Sequence, residues 1–476
     1  MGPNVGDPVK SRLSPHRRYL APERVEPSQS TAPGRLRRLY ADEPENCRRK
    51  LIPFLRNMLY LGLVFAVCRC YQTEGRAFQC LLILATAVFP IHYLAPFRWK
   101  KPIFLATSIG GLGWVFGPDV LAVILGMSAV LIGICRLPVS WNLKAGLMTA
   151  LTVFLTCGRP VALFDLAPST VWPVLGSMFM FRMIIYMYEL KHARKPERLI
   201  DEIGYFFLLP NFCFMLFPVV DYRTMQRGYF ADDVHSIQRR GLEMMFRGVV
   251  QLIIYRVIDQ ELLIAPSQVH GPLSLLGFLA FNYLVYLQVS GQFHVACGML
   301  HLFGYQLPDT HHRYLLATGF TDYWRRINIY WKDFMVRLVF NPVVFRLKRW
   351  PQPAALAAAT TMVFLATWLL HAYQSFWLRG TWGFSIPDAV FWTVLGAFVL
   401  VNVQLDARRS ASKVRAPRRR EADAEPEPRS VVYRALAVRS LKTGATFATI
   451  VLLWSLWNSP SLAAWFDLLS RGLHAS

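Results

Sequence analysis

The sequence predicts an all-α polytopic membrane protein, and three observations carry that reading. Apolar residues make up 54% of the 476 positions against 17% charged ones, with a mean hydropathy of +0.31. They gather into blocks of about 15–25 residues, close to the roughly 20 that a helix needs to cross a hydrocarbon core. Lipid offers no partners to backbone N–H and C=O groups, so a spanning segment is a helix or part of a closed barrel. The period-2 alternation of barrel strands is missing from these blocks. The basic residues cluster in the segments between blocks, as the positive-inside bias of membrane proteins leads one to expect.

Residues 1–50 are polar, proline-rich and basic, with Arg17-Arg18, Arg35-Leu36-Arg37-Arg38 and Arg48-Arg49-Lys50. They lack a short apolar stretch followed by a small-residue cleavage site, so they read as a basic, disordered cytoplasmic tail. A single transmembrane domain is expected over 51–470. Its candidate spans lie at about 52–70, 77–96, 102–117, 119–135, 144–157, 169–188, 203–220, 244–264, 272–290, 354–376, 386–404 and 440–458. With the N-terminus inside, Arg98-Trp99-Lys100-Lys101, Arg136 and Lys191-His192-Ala193-Arg194-Lys195 all fall on the cytoplasmic side. So does the charged linker 405–435, which carries Arg408-Arg409 and Arg418-Arg419-Arg420.

From about 205 to 350 the apolar runs are interrupted by Pro210, Pro218, Pro308, Pro342 and several arginines. Irregular backbone at membrane depth is tolerated where protein buries it or where it lines a cavity. Re-entrant or tilted helices around a central tunnel are therefore expected here, for a total of about 11–13 membrane helices.

The net charge of +23 is explained by these flanking clusters and anionic lipid headgroups, so membrane lipids are expected as partners and nucleic acid is not. The eight cysteines are scattered, and Cys68-Arg69-Cys70 has no second pair at metal spacing. Buried free thiols are expected, with no metal site.

One histidine stands out. His371 lies inside the apolar stretch 354–378, where an ionisable side chain is costly and is by default a functional-site hypothesis. A neutral imidazole in a dry environment is suited to accept a proton. Upstream, Asn328 sits in Tyr323-Trp324-Arg325-Arg326-Ile327-Asn328-Ile329 and can donate amide hydrogens. Their plainer readings are helix packing for His371 and helix capping or bridging for Asn328. His294 and His301, two helical turns apart, are read as structural, and His311-His312 beside Asp309 as solvated surface.

The segment Ser290-Gly291-Gln292-Phe293 runs on through Ala296-Cys297-Gly298 and Phe303-Gly304-Tyr305-Gln306-Leu307-Pro308. It leads to Tyr323-Trp324-Arg325-Arg326-Ile327-Asn328-Ile329 and then Phe340-Asn341-Pro342. This series resembles the membrane-bound O-acyltransferase family. Phe217-Pro218-Val219-Val220-Asp221-Tyr222-Arg223 is similar to that family's Gly-Pro-Ile-x-x-Tyr-Arg turn, and Gly176-Ser177 to Lys191 to the helix before it. The likeness covers roughly 170–378.

The resemblance implies an acyltransferase with His371 as general base and Asn328 as the oxyanion or orienting residue. It implies an acyl thioester co-substrate, acyl-CoA in the first instance, and no further cofactor. Arg325, Arg326, Lys332 and Arg337 are then candidate donor-binding residues for its phosphates, against the plainer reading of arginines snorkelling to the interface. The acceptor would be a hydroxyl of a cell-envelope polysaccharide or lipid, served in some arrangements by an extracytoplasmic partner protein. The expected location is a bacterial inner membrane, with the N-terminus cytoplasmic.

Four departures bear on the acceptor. Asn328 stands where the polysaccharide branch has histidine, Ile327 replaces the motif's second tryptophan, His294 replaces an acidic residue, and Leu370 replaces the tryptophan before the second histidine. A polytopic transporter or lipid-binding protein without catalysis is the alternative from a different class.

Overall fold

The computed structural model describes residues 43–159, 169–192, 198–212, 219–415 and 429–474. Among these the chain is helical, with no strand and one isolated bridge between Tyr229 and Tyr305. Most of the expected tail, and residues 416–428 of the linker, lie outside the described residues. Glu45–Cys47 forms a short 3-10 turn, and the Arg49 guanidinium donates to the carbonyl of Ala95.

Six helices run back and forth first: α1 Leu51–Cys70, α2 Arg76–Leu94, α3 Phe97–Phe116, α4 Pro118–Arg136, α5 Trp141–Gly158 and α6 Val171–Lys191. Short α7 Leu199–Phe206 and α8 Tyr222–Arg227 follow, then α9 Val234–Val257, α10 Pro272–Leu284 and α11 Leu287–Leu302. Beyond them come α12 Phe320–Ile327, α13 Ile329–Met335, α14 Asn341–Arg346, α15 Gln352–Arg379, α16 Ile386–Arg415, α17 Arg429–Trp457 and α18 Leu462–Leu473. Among the described residues eight segments are long and apolar enough to cross a membrane: α1, α2, α4, α6, α10 with α11, α15, α16 and α17. The chain is an all-α, multi-pass membrane protein.

The basic segments meet at one end of the bundle. Lys50 N–H donates to the Tyr93 hydroxyl, Lys101 pairs with Asp201, Arg136 with Glu202, and Arg337 with Glu189. The loops 71–75, 258–271 and 380–385 and amphipathic α18 belong to the other end, where Arg256 reaches the carbonyl of Tyr71 and Arg471 that of Ser267.

The span expected over 203–220 is broken. α7 stops at Phe206, and a 3-10 turn covers Leu209–Phe212 around Pro210. Buried Arg182 of α6 donates to the Tyr205 carbonyl and to Asn211 Oδ1, while Asn211 donates to the Phe206 carbonyl. Side chains thus satisfy the backbone groups that the broken helix frees, as depth in a membrane demands.

The span expected at 244–264 begins instead at Val234, because glycines bind its polar first half to α11. A Cβ on Gly241 would lie 2.6 Å from the Gly298 carbonyl oxygen, and one on Gly248 would lie 2.6 Å from that of Gly291. Residue numbers rise along one helix as they fall along the other, so the pair is antiparallel, with two backbone contacts seven residues apart. Small residues at such crossings let backbones touch, and dispersion contacts accumulate where lipid provides no hydrophobic drive. Gly291 and Gly298 of the motif series are therefore packing residues.

The interrupted stretch ahead of α15 folds back on itself. Gly319 abuts Asn402 near the basic end, where Gln404 donates to the Pro353 carbonyl. α12 carries Trp324 inward to Phe364, with ring centroids 4.8 Å apart. Asn328 turns the chain, α13 leads outward, and a π-helical turn at Val336–Phe340 brings Arg337 back to the basic end. Residues 320–346 therefore form a re-entrant hairpin.

Gly298→Leu places a side chain against the α9 backbone, and overpacking of this kind costs about 1–3 kcal/mol at least. It is expected to lower the melting temperature and the monodisperse fraction in detergent. Gly146→Leu, at a position with open space around it, serves as the tolerated comparison.

Candidate active site

The hairpin, α11, α15, α16 and α17 enclose a cavity of about 640 Å³ whose wall includes both Asn328 and His371. Along α15 its wall runs from His371 through Gln374 and Ser375 to Arg379. At 1.5 Å per residue that is about 12 Å, with His371 at its inner end. Trp324 and Trp331 line the inner part, and Asn458, Gly383 and Arg379 the part nearest the end opposite the basic loops.

His371 Nδ1 lies 2.9 Å from the Thr367 carbonyl oxygen, one turn back on α15. A carbonyl only accepts, so Nδ1 carries the ring hydrogen and Nε2 keeps its lone pair. The imidazole is walled by indoles, with centroids of Trp392, Trp331 and Trp457 at 4.7, 5.3 and 6.1 Å.

Asn328 caps α13. Its Oδ1 accepts from the Trp331 backbone N–H at 3.1 Å, so the capping reading of this residue holds. The same bond fixes the orientation of the amide: oxygen faces the helix, and the two Nδ2 hydrogens remain as donors for the cavity. Trp331 joins the two candidates, since its backbone holds Asn328 and its ring packs against His371. Its indole N–H also reaches the Thr367 hydroxyl at 3.4 Å.

The hairpin tip is held from behind. The Tyr286 hydroxyl donates to the Ile327 carbonyl and lies 3.1 Å from His311 Nε2, while His311 Nδ1 lies 3.0 Å from the Thr310 hydroxyl. His311 is buried, which corrects its reading as solvated surface. The loop around it folds inward because Thr310 and His312 pair with the hairpin backbone at Ile329 and Arg326. Burial, followed by neighbouring His294, holds the His311 imidazole well below its ordinary value. His294 and His301 are structural, each with Nδ1 on a carbonyl one turn back, those of Ser290 and Cys297.

The four basic candidates separate. Arg325 is exposed, Arg326 pairs with Asp322 at 2.6 Å, and Lys332 pairs with Asp333. Arg337 is held by Glu189 at 2.7 Å and Asp221 at 3.3 Å, and Asp221 also caps α8 by accepting from Thr224 N–H. None of the four lines the cavity. Phe217 and Pro218 of the turn motif lie outside the described residues. Among the described residues no cluster of three or more metal-binding side chains forms, and the seven described cysteines are free.

Sequence reasoning missed Asp388. This buried residue in the first turn of α16 lines the cavity and accepts from three indoles, those of Trp368 at 2.5 Å, Trp457 at 2.7 Å and Trp392 at 3.2 Å. The available signal was an acidic residue opening an apolar segment, three positions after Ser385, whose hydroxyl caps the helix.

Compared with protein-family models and with characterised proteins, the chain matches none.

Arg337→Ala would leave Glu189, 4% exposed, without its cation. Breaking a buried pair from one side costs about 3–5 kcal/mol. A corresponding fall in the melting temperature in detergent is expected, and Glu189→Gln in the same chain should recover most of it.

Proposed function

We propose that this protein is a membrane-bound O-acyltransferase, with His371 as general base and Asn328 as oxyanion or orienting donor. One observation carries the reading. Two polar side chains from separate elements share an aromatic-walled cavity, one presenting a free imidazole lone pair and the other two uncommitted N–H groups.

An acyl thioester and a hydroxyl meeting there would react as follows. The hydroxyl proton passes to His371 Nε2 as the oxygen bonds to the acyl carbon, and Asn328 Nδ2–H donates to the carbonyl oxygen as negative charge builds on it. The carbon–sulfur bond then breaks, and the proton leaves Nε2 with the sulfur as a thiol. The tryptophan walls exclude water that would otherwise hydrolyse the thioester.

The charge asymmetry of the bundle supports placing the basic end, and with it residues 43–50, in the cytoplasm. A donor such as acyl-CoA would approach from that end. Exposed Arg325 is the first contact for its phosphates, and Arg326 and Lys332 are reachable by exchanging their surface carboxylate partners. Arg337 belongs to the scaffold in this scheme. The acceptor, a polysaccharide or lipid hydroxyl, would enter from the end marked by Arg379 and Asn458.

Purified protein supplied with a polysaccharide or lipid hydroxyl acceptor is expected to release free thiol from acetyl-CoA or a longer acyl-CoA as the acyl group moves to that acceptor. His371→Ala should abolish the release, and Asn328→Ala should slow it by about 10²–10³-fold. Thiol release that is unchanged in His371→Ala, or absent with every acyl length, overturns the reading in favour of a non-catalytic transporter or lipid-binding protein. Orientation is checked with a membrane-impermeant maleimide on intact cells. Exposed Cys70, at the end of α1 remote from the basic loops, is expected to label from outside, and labelling only after lysis reverses the topology.

A further inference from the structure

Asp388 is buried, and among the described residues no lysine or arginine forms an ion pair with it. An indole can only donate, so the carboxyl oxygens accept all three bonds, two at Oδ1 and one at Oδ2. Its place in the first turn of α16 adds favourable helix-dipole charge. The cluster ties together α15 through Trp368, α16 through Trp392 and α17 through Trp457.

Two of the three indoles, those of Trp392 and Trp457, are also rings that flank His371. Each is pinned at Nε1 by Asp388 and presses on the imidazole with its carbon frame. Thr367 fixes Nδ1, and the pinned rings restrict how far the imidazole can swing about that bond. Asp388 also lines the wall of the same cavity, and as a carboxylate it would face the imidazolium that the proposed transfer creates when Nε2 takes the acceptor proton.

We propose that Asp388 is the positioning residue of this site, acting through Trp392 and Trp457 to hold the His371 imidazole with Nε2 toward the cavity and to compensate its charge during transfer. This rests on the base role given to His371 above.

The test measures thiol release from acetyl-CoA by full-length protein in detergent with a hydroxyl acceptor present, with kcat and KM separated. Asp388→Asn keeps an acceptor for the indoles and removes the charge. It is expected to lower kcat by about 10–100-fold with KM unchanged, in the range found when a group orienting a functional histidine is altered. Asp388→Glu should recover part of the loss. Trp457→Phe, which unpins a ring on His371, should cost more than Trp368→Phe, which removes the donor that does not touch it. A merely structural cross-link predicts equal costs for the two and no split between kcat and KM.

A second readout needs no acyl substrate. Diethyl pyrocarbonate forms a bond from Nε2 to its carbonyl carbon as ethyl carbonate leaves, and mass spectrometry of the His371 peptide gives the rate. Asp388→Asn is expected to slow this modification, or Trp457→Phe should Asp388→Asn fail to fold. Unaltered kcat together with an unaltered modification rate overturns the proposal. Absent thiol release with a slowed modification rate overturns only the transferase reading.

Discussion

The contact between the backbones of α9 and α11 is the constraint from which the rest of the interior follows. Gly241 against Gly298 and Gly248 against Gly291 let two helices approach until carbonyl oxygens sit where side chains would stand. That approach fixes the face of α11 that looks the other way. Val289 and Phe293 become cavity wall, and Tyr286 just before the helix reaches the Ile327 carbonyl at the hairpin tip. Asn328 is next in the chain. A spacing error of one methyl group between α9 and α11 would pass through Tyr286 to the amide that the proposed chemistry uses.

The fold class was legible because hydropathy and charge placement act locally. An apolar block of about 20 residues has few alternatives in a membrane, and basic segments mark one end of each pair of helices. The re-entrant hairpin was legible in outline, since Asp322, Arg325, Arg326, Lys332 and Asp333 leave no apolar run there long enough to span. His371 was legible from its cost in an apolar helix, and Asn328 from the motif series around it.

What was not legible depends on long-range contacts. Nothing local marks Asp388 as the meeting point of Trp368, Trp392 and Trp457, which come from three helices. His311 was misread because it sits in a polar run with Asp309 and His312, and local polarity does not record which residue of a loop turns inward. The basic residues near Asn328 were legible as charges but not by partner. Glu189 and Asp221, which hold Arg337, lie more than a hundred positions upstream.

The hairpin of residues 320–346 enters and leaves by the same face, and this bears on how the protein is made. Both its arms carry charge, so neither has the hydropathy that would commit it to lipid as it is synthesised. Its depth is stabilised by partners that include Phe364, Thr367 and Val399, all later in the chain. The hairpin therefore completes its packing only after α15 and α16 are inserted, since its upstream partners Tyr286, Thr310 and Glu189 hold only its tip and its outer arm. The cavity is consequently closed late, and a nascent chain that has not yet delivered α15 and α16 holds Asn328 without His371 on the wall it shares.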